Sequence, residues 1–181
     1  MVLLLTKFFE FEPRRVMSIL AQVMRAMPST CLLVVGRGLC GEEGRFLASA
    51  REAGVASRVA YVGWRQRDEM GGYFAASELA ILPQEDTLLN RARCPARLVD
   101  LMAAGLPVVA DDVGQTGEYI EHLSSGYLAP PGDTDAFAAG VLRVLRDEEL
   151  WSRLGWHAKQ RVMEEFAWHR LAVVAERAHS G

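Results

Sequence analysis

The stretch Pro83–Glu118, PQEDTLLNRARCPARLVDLMAAGLPVVADDVGQTGE, decides how the chain folds. It contains in order the end of a strand, a basic loop, a short apolar helix, another strand and a turn with glycine. Neither the helix nor the strand that follows it shows the polar alternation of a half-exposed element, which is typical of segments buried within a parallel sheet. The stretch therefore predicts the centre of an α/β domain.

Three arginines lie close to the start of the predicted helix: Arg91, Arg93 and Arg97. We expect Pro95 at the first helical position. The helix macrodipole places partial positive charge at this end, so cations are unfavourable here unless an anion binds among them. The pattern favours an anionic ligand; the alternative is a surface ion pair between Arg97 and Asp100, three residues apart.

Apolar runs of strand length alternate with amphipathic helical patterns along the rest of the chain. Strands are expected at Val2–Thr6, Cys31–Val35, Arg58–Val62, Glu78–Leu82, Leu106–Ala110 and Gly126–Ala129. Helices are expected at Pro13–Met27, Glu42–Ala53, Arg67–Ala76, Pro95–Ala104, Thr116–Ile120, Thr134–Arg146, Glu148–Leu154, His157–Phe166 and Trp168–Ala178.

This order predicts an α/β fold: a Rossmann-like, doubly wound parallel sheet of about six strands with a C-terminal helical tail. No linker or internal repeat divides the chain, so we expect residues 1–181 to form one domain. In such sheets ligands bind beyond the carboxyl ends of the strands. The residues that follow each strand are therefore the candidates for a site.

Composition excludes several classes of protein. A net charge of −3 argues against general nucleic-acid binding, and no apolar run approaches the ~18 residues of a membrane span. The three cysteines show no metal or disulfide spacing, which favours a reduced, cytoplasmic setting. The histidines lack metal-ligand spacing and no Ser/His/Asp arrangement is evident, so we expect neither a metal site nor that kind of nucleophilic catalysis.

A glycine-rich turn, Gly36-Arg-Gly-Leu-Cys-Gly41, matches the GxGxxG pattern of dinucleotide-binding proteins. That fingerprint also needs an acidic residue at the end of the following strand. Here the strand ends Tyr61-Val-Gly-Trp64 and no carboxylate occurs before Asp68. We therefore reject NAD binding and expect the backbone N–H groups of the turn to approach some phosphate, with a purely structural turn as the alternative.

The central block resembles the nucleotide-sugar-binding half of GT-B-fold glycosyltransferases of the group 1 retaining class. The likeness lies in Asp100-Leu-Met-Ala-Ala-Gly-Leu-Pro-Val-Val-Ala110, where the family has E-A-M-A-x-G-x-P-V-V-A, and continues through Asp112-Val-Gly114, Glu118 and Gly126–Asp133. Weaker likeness covers essentially the whole chain. The resemblance implies the C-terminal, donor-binding half of a two-domain enzyme whose N-terminal acceptor domain is absent. In that case apolar residues of the tail, Leu171 and Val174, should be partly uncovered.

The resemblance assigns the positive charges to the donor diphosphate. Arg93, Arg97 and Lys7 would stabilise the departing nucleoside diphosphate, so that no divalent metal and no cofactor is needed. Arg14 would be a second cation at the phosphates. Gly36 and Gly38 belong to the turn that approaches the donor, and Trp64 either packs on the base or acts as a core lid.

At the sugar and ribose end the chain departs from the family. Asp100 stands where a glutamate hydrogen-bonds the ribose, and it should have a partner because its neighbours are apolar. Ala92 stands where the family has its other glutamate. The nearest acidic or amide side chains that could reach sugar hydroxyls are Glu85, Asp86 and Asn90. The turn after the fifth strand adds further donor-binding candidates: Gly114, Gln115 and Glu118 (which could equally cap its short helix).

The predicted function is donor binding for transfer of a sugar from a nucleotide-diphosphate sugar, with retention. The partners would be the donor, the absent N-terminal domain and an acceptor, for which the family commonly uses a lipid or a glycan; a peripheral membrane association of the full enzyme fits this expectation. The isolated domain should bind donor without turning it over. The alternatives are a non-catalytic sugar-nucleotide-binding or interaction module, which the altered glutamate positions favour, and a GT-B-like sugar-nucleotide epimerase.

Overall fold

The computed structural model describes residues 1–167, 170, 172, 176, 178 and 179. Within them a six-stranded sheet has the order β3-β2-β1-β4-β5-β6, and every pairing of neighbouring strands is parallel. The strands are β1 Val2–Thr6, β2 Leu32–Gly36, β3 Val59–Gly63, β4 Leu79–Leu82, β5 Val108–Asp111 and β6 Tyr127–Ala129. The predicted doubly wound α/β fold is therefore confirmed.

Helices connect the strands and cover both faces of the sheet. They are α1 Pro13–Ala26, α2 Glu42–Glu52, α3 Met70–Ala75, α4 Leu88–Arg91, α5 Ala96–Ala103, α6 Thr116–Tyr119, α7 Thr134–Arg146 and α8 Glu148–Glu165, with short 3₁₀ turns at Ala56–Arg58 and Arg67–Glu69. Within the described residues, no helix is both long enough and apolar enough to cross a membrane.

The core has two halves, one on each face of the sheet. Successive residues of a strand point to opposite faces, so Val2 and Leu4 of β1 pack with α1, α2 and α7, while Leu3 packs with α5 and α8. Because both faces are covered, β2, β4 and β5 are buried throughout their length, and β1 is buried except at half-buried Leu5. In sheets of this kind ligands bind at the carboxyl edge, and the strand order reverses there between β1 and β4.

Besides small shifts at the ends of strands and helices, three features of the helices differ from the sequence expectation. Pro95 precedes α5 and does not take its first helical position. The basic loop contains one extra helical turn, α4, which Thr87 caps by accepting from the Asn90 N–H. The two helices expected on either side of Gly155 are one helix, α8, in which this glycine lies against the turn that precedes β5.

Most of the helix predicted at Trp168–Ala178, including Leu171 and Val174, lies outside the described residues.

Candidate functional site

Two clefts lie at the carboxyl edge of the sheet. The large cleft, of about 490 Å³, runs past the ends of β1, β2 and β3 and is closed by α3 and α5; it is lined by Leu5, Thr6, Lys7, Val35, Gly36, Arg37, Trp64, Arg65, Arg67, Met70, Gly71, Phe74, Arg97, Asp100 and Ala103. The small cleft, of about 230 Å³, lies between β1, β4 and the start of α5; it is lined by Lys7, Phe9, Leu82, Gln84, Arg93, Cys94, Pro95, Ala96, Arg97 and Leu98.

Two cations belong to both clefts. Lys7, directly after β1, and Arg97, in the first turn of α5, line the large cleft and the small one. The clefts therefore meet between these side chains, at the switch point of the sheet. Arg93 adds a third cation in the small cleft. The structure thus brings together the three cations that the sequence assigned to a diphosphate.

An internal anion already lies among these cations. Arg97 donates through Nη2 to Glu10 Oε1, and Arg93 Nη1 lies 3.8 Å from the same oxygen. The expected surface pair between Arg97 and Asp100 does not form; Glu10, buried at 2% exposure, takes its place. The charge at the start of α5 is thus partly balanced within the protein, and the prediction that only an external anion could balance it is wrong.

Each guanidinium has a buried nitrogen without a hydrogen bond. The Nη1 atoms of Arg93 and Arg97 are shielded from solvent and make no hydrogen bond with any residue that the structure describes. Arg93 also stacks on Phe9, with its guanidinium carbon 4.8 Å from the ring centroid. Burial lowers the pKa of Arg93 and neighbouring Arg97 adds to the effect, while Glu10 opposes it. Guanidinium N–H groups that lack a hydrogen bond in the interior favour the binding of an anion that can reach them.

The backbone at the start of α5 contributes less than expected. The N–H groups of Ala96 and Leu98 already donate to the carbonyl groups of Cys94 and Pro95, at 2.9 and 2.8 Å. The side chains therefore offer the anion contacts here.

The third arginine of the cluster faces elsewhere. Arg91 forms a bidentate pair with Asp86, with Nη2 2.6 Å from Oδ2, and both side chains are exposed. Asn90 is buried, and its amide nitrogen donates to the carbonyl groups of Glu10 and Glu85 at 2.8 and 2.9 Å. None of Glu85, Asp86 and Asn90 lines either cleft. The structure does not place these three side chains where sugar hydroxyls would bind in the clefts.

Asp100 lines the large cleft from the exposed face of α5. Its side chain makes no hydrogen bond or ion pair within the described part of the chain. The partner expected for Asp100 is thus not a side chain of the described residues, because its apolar neighbours Leu98 and Leu101 are buried in the core whereas Asp100 lines the cleft. It can therefore accept hydrogen bonds from a ligand. Ala92 is exposed and offers no carboxylate.

The glycine-rich turn is built differently from the expectation. Gly36 does line the large cleft, but a Cβ there would lie 1.8 Å from the carbonyl oxygen of Thr6, so the glycine is required for strand packing. The Gly38 and Cys40 N–H groups donate to Glu43 and Glu42, at 3.0 and 2.8 Å. Because carboxylates occupy these groups, the turn does not offer them to a phosphate, which corrects the prediction for Gly38.

The segment after β3 forms the outer end of the large cleft. Trp64 is 63% exposed at its rim, so it is not a core lid and its ring is free to pack on a flat ligand. Arg65 lies beside it, with its guanidinium carbon 5.9 Å from the Tyr73 ring. Since adjacent strands are about 4.8 Å apart, the ends of β1 and β3 are separated by about 10 Å. The cleft is thus long enough for a nucleoside between Trp64 and Lys7.

The second cation that the sequence proposed is not in the clefts. Arg14 is exposed and lines neither of them. Its neighbour Arg15 makes a bidentate pair with buried Asp111, at 2.7 and 2.8 Å. Asp111 also accepts from the Gln84 N–H at 2.8 Å, and Gln84 accepts from the Thr116 hydroxyl at 2.9 Å. This network joins α1 to β4, β5 and α6.

The turn after β5 has a structural role in the described contacts. Gly114 has φ +57° and a Cβ there would lie 2.7 Å from the Arg91 backbone, so this position needs glycine. Gln115 precedes α6 without capping it through its side chain, and the Glu118 carbonyl accepts from Arg161 at 3.0 Å. Neither Gln115 nor Glu118 lines a cleft.

Sequence reasoning missed Glu10 and Phe9 and did not single out Gln84. Their positions could have marked them as candidates, because each residue closely follows the end of β1 or β4, where ligands bind in such sheets. No group of three His, Cys, Asp or Glu side chains that could hold a metal ion occurs among the described residues.

Comparison with known proteins gives a consistent picture. The sequence pattern of the family "Glycosyl transferases group 1" matches residues 11–147. An N-acetyl-alpha-D-glucosaminyl L-malate synthase of Bacillus anthracis is 32% identical over 135 residues, which are 75% of this chain and 33% of the synthase. An amylovoran biosynthesis glycosyltransferase of Erwinia amylovora is 34% identical over 124 residues, 66% of this chain and 30% of that enzyme. The chain thus spans about a third of the length of these relatives.

Solved structures share the fold. HepE of Anabaena in complex with UDP-glucose superposes with a TM-score of 0.79 at 23% identity, over 99% of this chain and 49% of HepE. A sucrose-phosphate synthase of Thermosynechococcus elongatus gives 0.76 at 24% identity, over 99% of this chain and 44% of the synthase. At this level of identity the likeness concerns the fold alone.

Proposed function

The chain belongs to the group 1 glycosyl transferases, and we propose that its two clefts bind the nucleotide-diphosphate sugar from which such an enzyme transfers the sugar. The observation that carries the proposal is the junction of the clefts, where Lys7 and Arg97 line both. An elongated ligand with an anionic centre and two neutral ends fits this arrangement. A nucleotide-diphosphate sugar has that form.

The nucleoside occupies the large cleft. Trp64 at the outer end offers a flat apolar surface for the base, and Asp100 offers a carboxylate to the ribose hydroxyls. The distance of about 10 Å between the ends of β1 and β3 suits a nucleoside between the tryptophan and the cations. HepE, which has the same fold, was solved with UDP-glucose.

The diphosphate lies at the junction and the sugar in the small cleft. Departure of the nucleoside diphosphate builds negative charge on the phosphate oxygens. The ammonium of Lys7 and the guanidinium groups of Arg93 and Arg97 line the small cleft beside that position, where they would stabilise the charge. These cations do so without a divalent metal or a cofactor.

Calorimetric titration with UDP, GDP, UDP-glucose and GDP-mannose tests the site. In the double variant Arg93→Ala, Arg97→Ala we expect affinity for the bound nucleotide to fall at least ~30-fold, because two charge-assisted hydrogen bonds are lost. The matched control is Arg91→Ala, which removes an arginine of the same cluster that faces Asp86 and lines neither cleft.

The control should bind as the wild type does. If the wild-type chain binds none of these nucleotides, the proposed function is wrong. If the double variant keeps its melting transition and binds equally well, the function survives and the arginine assignment is wrong.

Transfer of the sugar also needs a surface that binds the acceptor opposite the donor. We propose that an N-terminal domain of the same enzyme supplies it, that the anomeric configuration is retained, and that this chain alone binds donor without releasing UDP or GDP from it. A coupled assay for released nucleoside diphosphate, with donor at concentrations that saturate the chain, checks this. Steady release by the chain alone contradicts it.

One observation favours a second candidate, a non-catalytic module that binds sugar nucleotides. Ala92 offers no carboxylate, and the acidic and amide side chains of the preceding loop are turned away from the clefts. Such a module would still bind nucleotide through the cleft junction. Absence of transfer by the chain when it is joined to an acceptor domain, with nucleotide binding intact, would favour this candidate.

A further inference from the structure

Glu10 lines neither cleft, yet it contacts both arginines of the small one. Donor binding as described above gives it no role. A buried carboxylate close to a phosphate site is unexpected, since it repels the anion that the arginines attract. Its position therefore needs an explanation.

The carboxylate is rigidly held. Oε2 accepts from the Thr6 hydroxyl at 2.9 Å, and Oε1 accepts from the Lys7 N–H at 3.3 Å as well as from Arg97. The Glu10 carbonyl accepts from the Asn90 amide at 2.8 Å, which ties the loop after β1 to the loop after β4. With 3% of its side chain exposed, Glu10 cannot turn away when a ligand arrives.

The carboxylate is also charged. Burial would raise the pKa of Glu10, but attraction to Arg97 and the hydrogen bonds from Arg97 and Thr6 outweigh burial and hold the pKa below its usual value. One fixed negative charge thus lies beside two guanidinium groups, those of Arg93 and Arg97. It orients the Arg97 guanidinium through Nη2, while Nη1 makes no hydrogen bond within the described residues.

We propose that Glu10 is a positioning residue and internal counter-ion that weakens the hold of the site on the nucleoside diphosphate product more than on the sugar donor. The inference rests on the proposed function. A nucleotide-diphosphate sugar carries about two negative charges near neutral pH, whereas the free nucleoside diphosphate carries close to three, because its terminal phosphate has a second ionisation near pH ~6. Repulsion from one fixed charge therefore counts more against the product, and the product leaves more readily.

The test is Glu10→Gln, which keeps the shape of the side chain and an acceptor for Arg97 but removes the charge. By calorimetry on the chain we expect UDP to bind ~10-fold more tightly and UDP-glucose ~3-fold more tightly, since a unit charge removed within a few ångströms of the ligand changes binding by this order. GDP and GDP-mannose serve as the second pair of probes. The changed ratio between product and donor is the readout that a purely structural role would not give.

Glu12→Gln is the matched control. Glu12 is exposed, lies two positions away in the same loop and makes no side-chain ion pair within the described residues. Its replacement removes the same charge from the whole chain and should leave both affinities unchanged. An equal effect of both variants would mean that only overall charge matters, which overturns the inference.

Loss of the buried charge could also prevent folding. For this case we compare Arg93→Gln with the double variant Glu10→Gln/Arg93→Gln. The double variant removes one charge of each sign, so the balance of charge in the buried cluster is kept. It should bind UDP more tightly than Arg93→Gln alone. If Glu10→Gln leaves UDP binding equal or weaker in whichever of the two backgrounds folds, the inference is wrong, while nucleotide binding by the wild type still supports the proposed function. If the wild type binds no nucleotide, both the inference and the proposed function are wrong.

Discussion

Asp111, at the end of β5, is fully buried, and both of its carboxylate oxygens accept hydrogen bonds. Burial raises the pKa of Asp111, and the hydrogen bonds from Arg15 and from the Gln84 N–H oppose the rise. A buried ion pair of this kind is weak evidence for net stabilisation, but removing one partner leaves the other buried and unpaired. The network is thus expected to be sensitive to single substitutions.

We predict that Asp111→Ala lowers the free energy of unfolding by about 3–5 kcal/mol, because the Arg15 guanidinium and the Gln84 N–H lose their partner in the interior. Urea unfolding monitored by circular dichroism measures it. Asp112→Ala is the control, since Asp112 is exposed at the next position, and it should change stability by less than ~0.5 kcal/mol. A loss below ~1 kcal/mol for Asp111→Ala would contradict the assignment.

At the scale of single residues, the sequence predicts which types meet but not which side chains pair. Lys7, Arg93 and Arg97 are predictable as a group because each is close to the end of a strand or the start of a helix, and the fold places such positions at one edge. The position of Glu10 shortly after β1 could have marked it as a candidate, but its pairing with Arg97 is not predictable because the two residues are 87 positions apart. Side-chain direction decides such pairs, and local sequence does not contain it.

Helix α8 shows how packing overrides a local signal at the scale of elements. Gly155 lowers helix propensity, and the sequence pattern predicts two helices that meet there. The helix continues because the missing side chain lets it approach the turn before β5: a Cβ on Gly155 would lie 2.3 Å from the Gly105 carbonyl oxygen. Close contact between α8 and α5 outweighs the cost of one glycine.

We predict that Gly155→Ala destabilises the fold by about 1–3 kcal/mol, although alanine is the better helix former, because the backbone of Gly105 must move. Gly44→Ala in α2 is the matched control. A Cβ there meets nothing within 4 Å, so the substitution should stabilise by up to about 1 kcal/mol. Thermal unfolding compares the two, and a stabilising Gly155→Ala would show that α8 does not pack on this turn.

Boundaries of the strands are predictable within about two residues because apolar runs report burial on both faces. The extra turn α4 is not. Leu88 and Leu89 are exposed, at 84% and 58%, so no amphipathic pattern marks it. Its helical geometry comes from the Thr87 cap and from the tie between Asn90 and the loop after β1.

For the whole molecule, the negative net charge gives no indication of the local group of cations at the candidate site. The chain has a net charge of −3, yet Lys7, Arg93 and Arg97 meet at one junction with Glu10 as their nearby anion. That junction lies where the order of the sheet reverses, so a ligand that fills both clefts would contact segments after β1, β2, β3 and β4 together. A ligand held in this way should stabilise the entire domain and not one loop.

We therefore predict a single thermal transition that shifts upward as a whole when nucleotide binds. At a UDP or GDP concentration about 100 times the dissociation constant, binding adds about 2.7 kcal/mol of stability, which corresponds to roughly 5–10 °C for a domain of this size. Scanning calorimetry measures it. Uridine or guanosine at the same concentration is the control and should shift the transition much less, because the nucleoside lacks the diphosphate that reaches Lys7 and Arg97. Two separate transitions, of which only one moves, would mean that the ligand contacts a smaller part of the sheet edge than the two clefts describe.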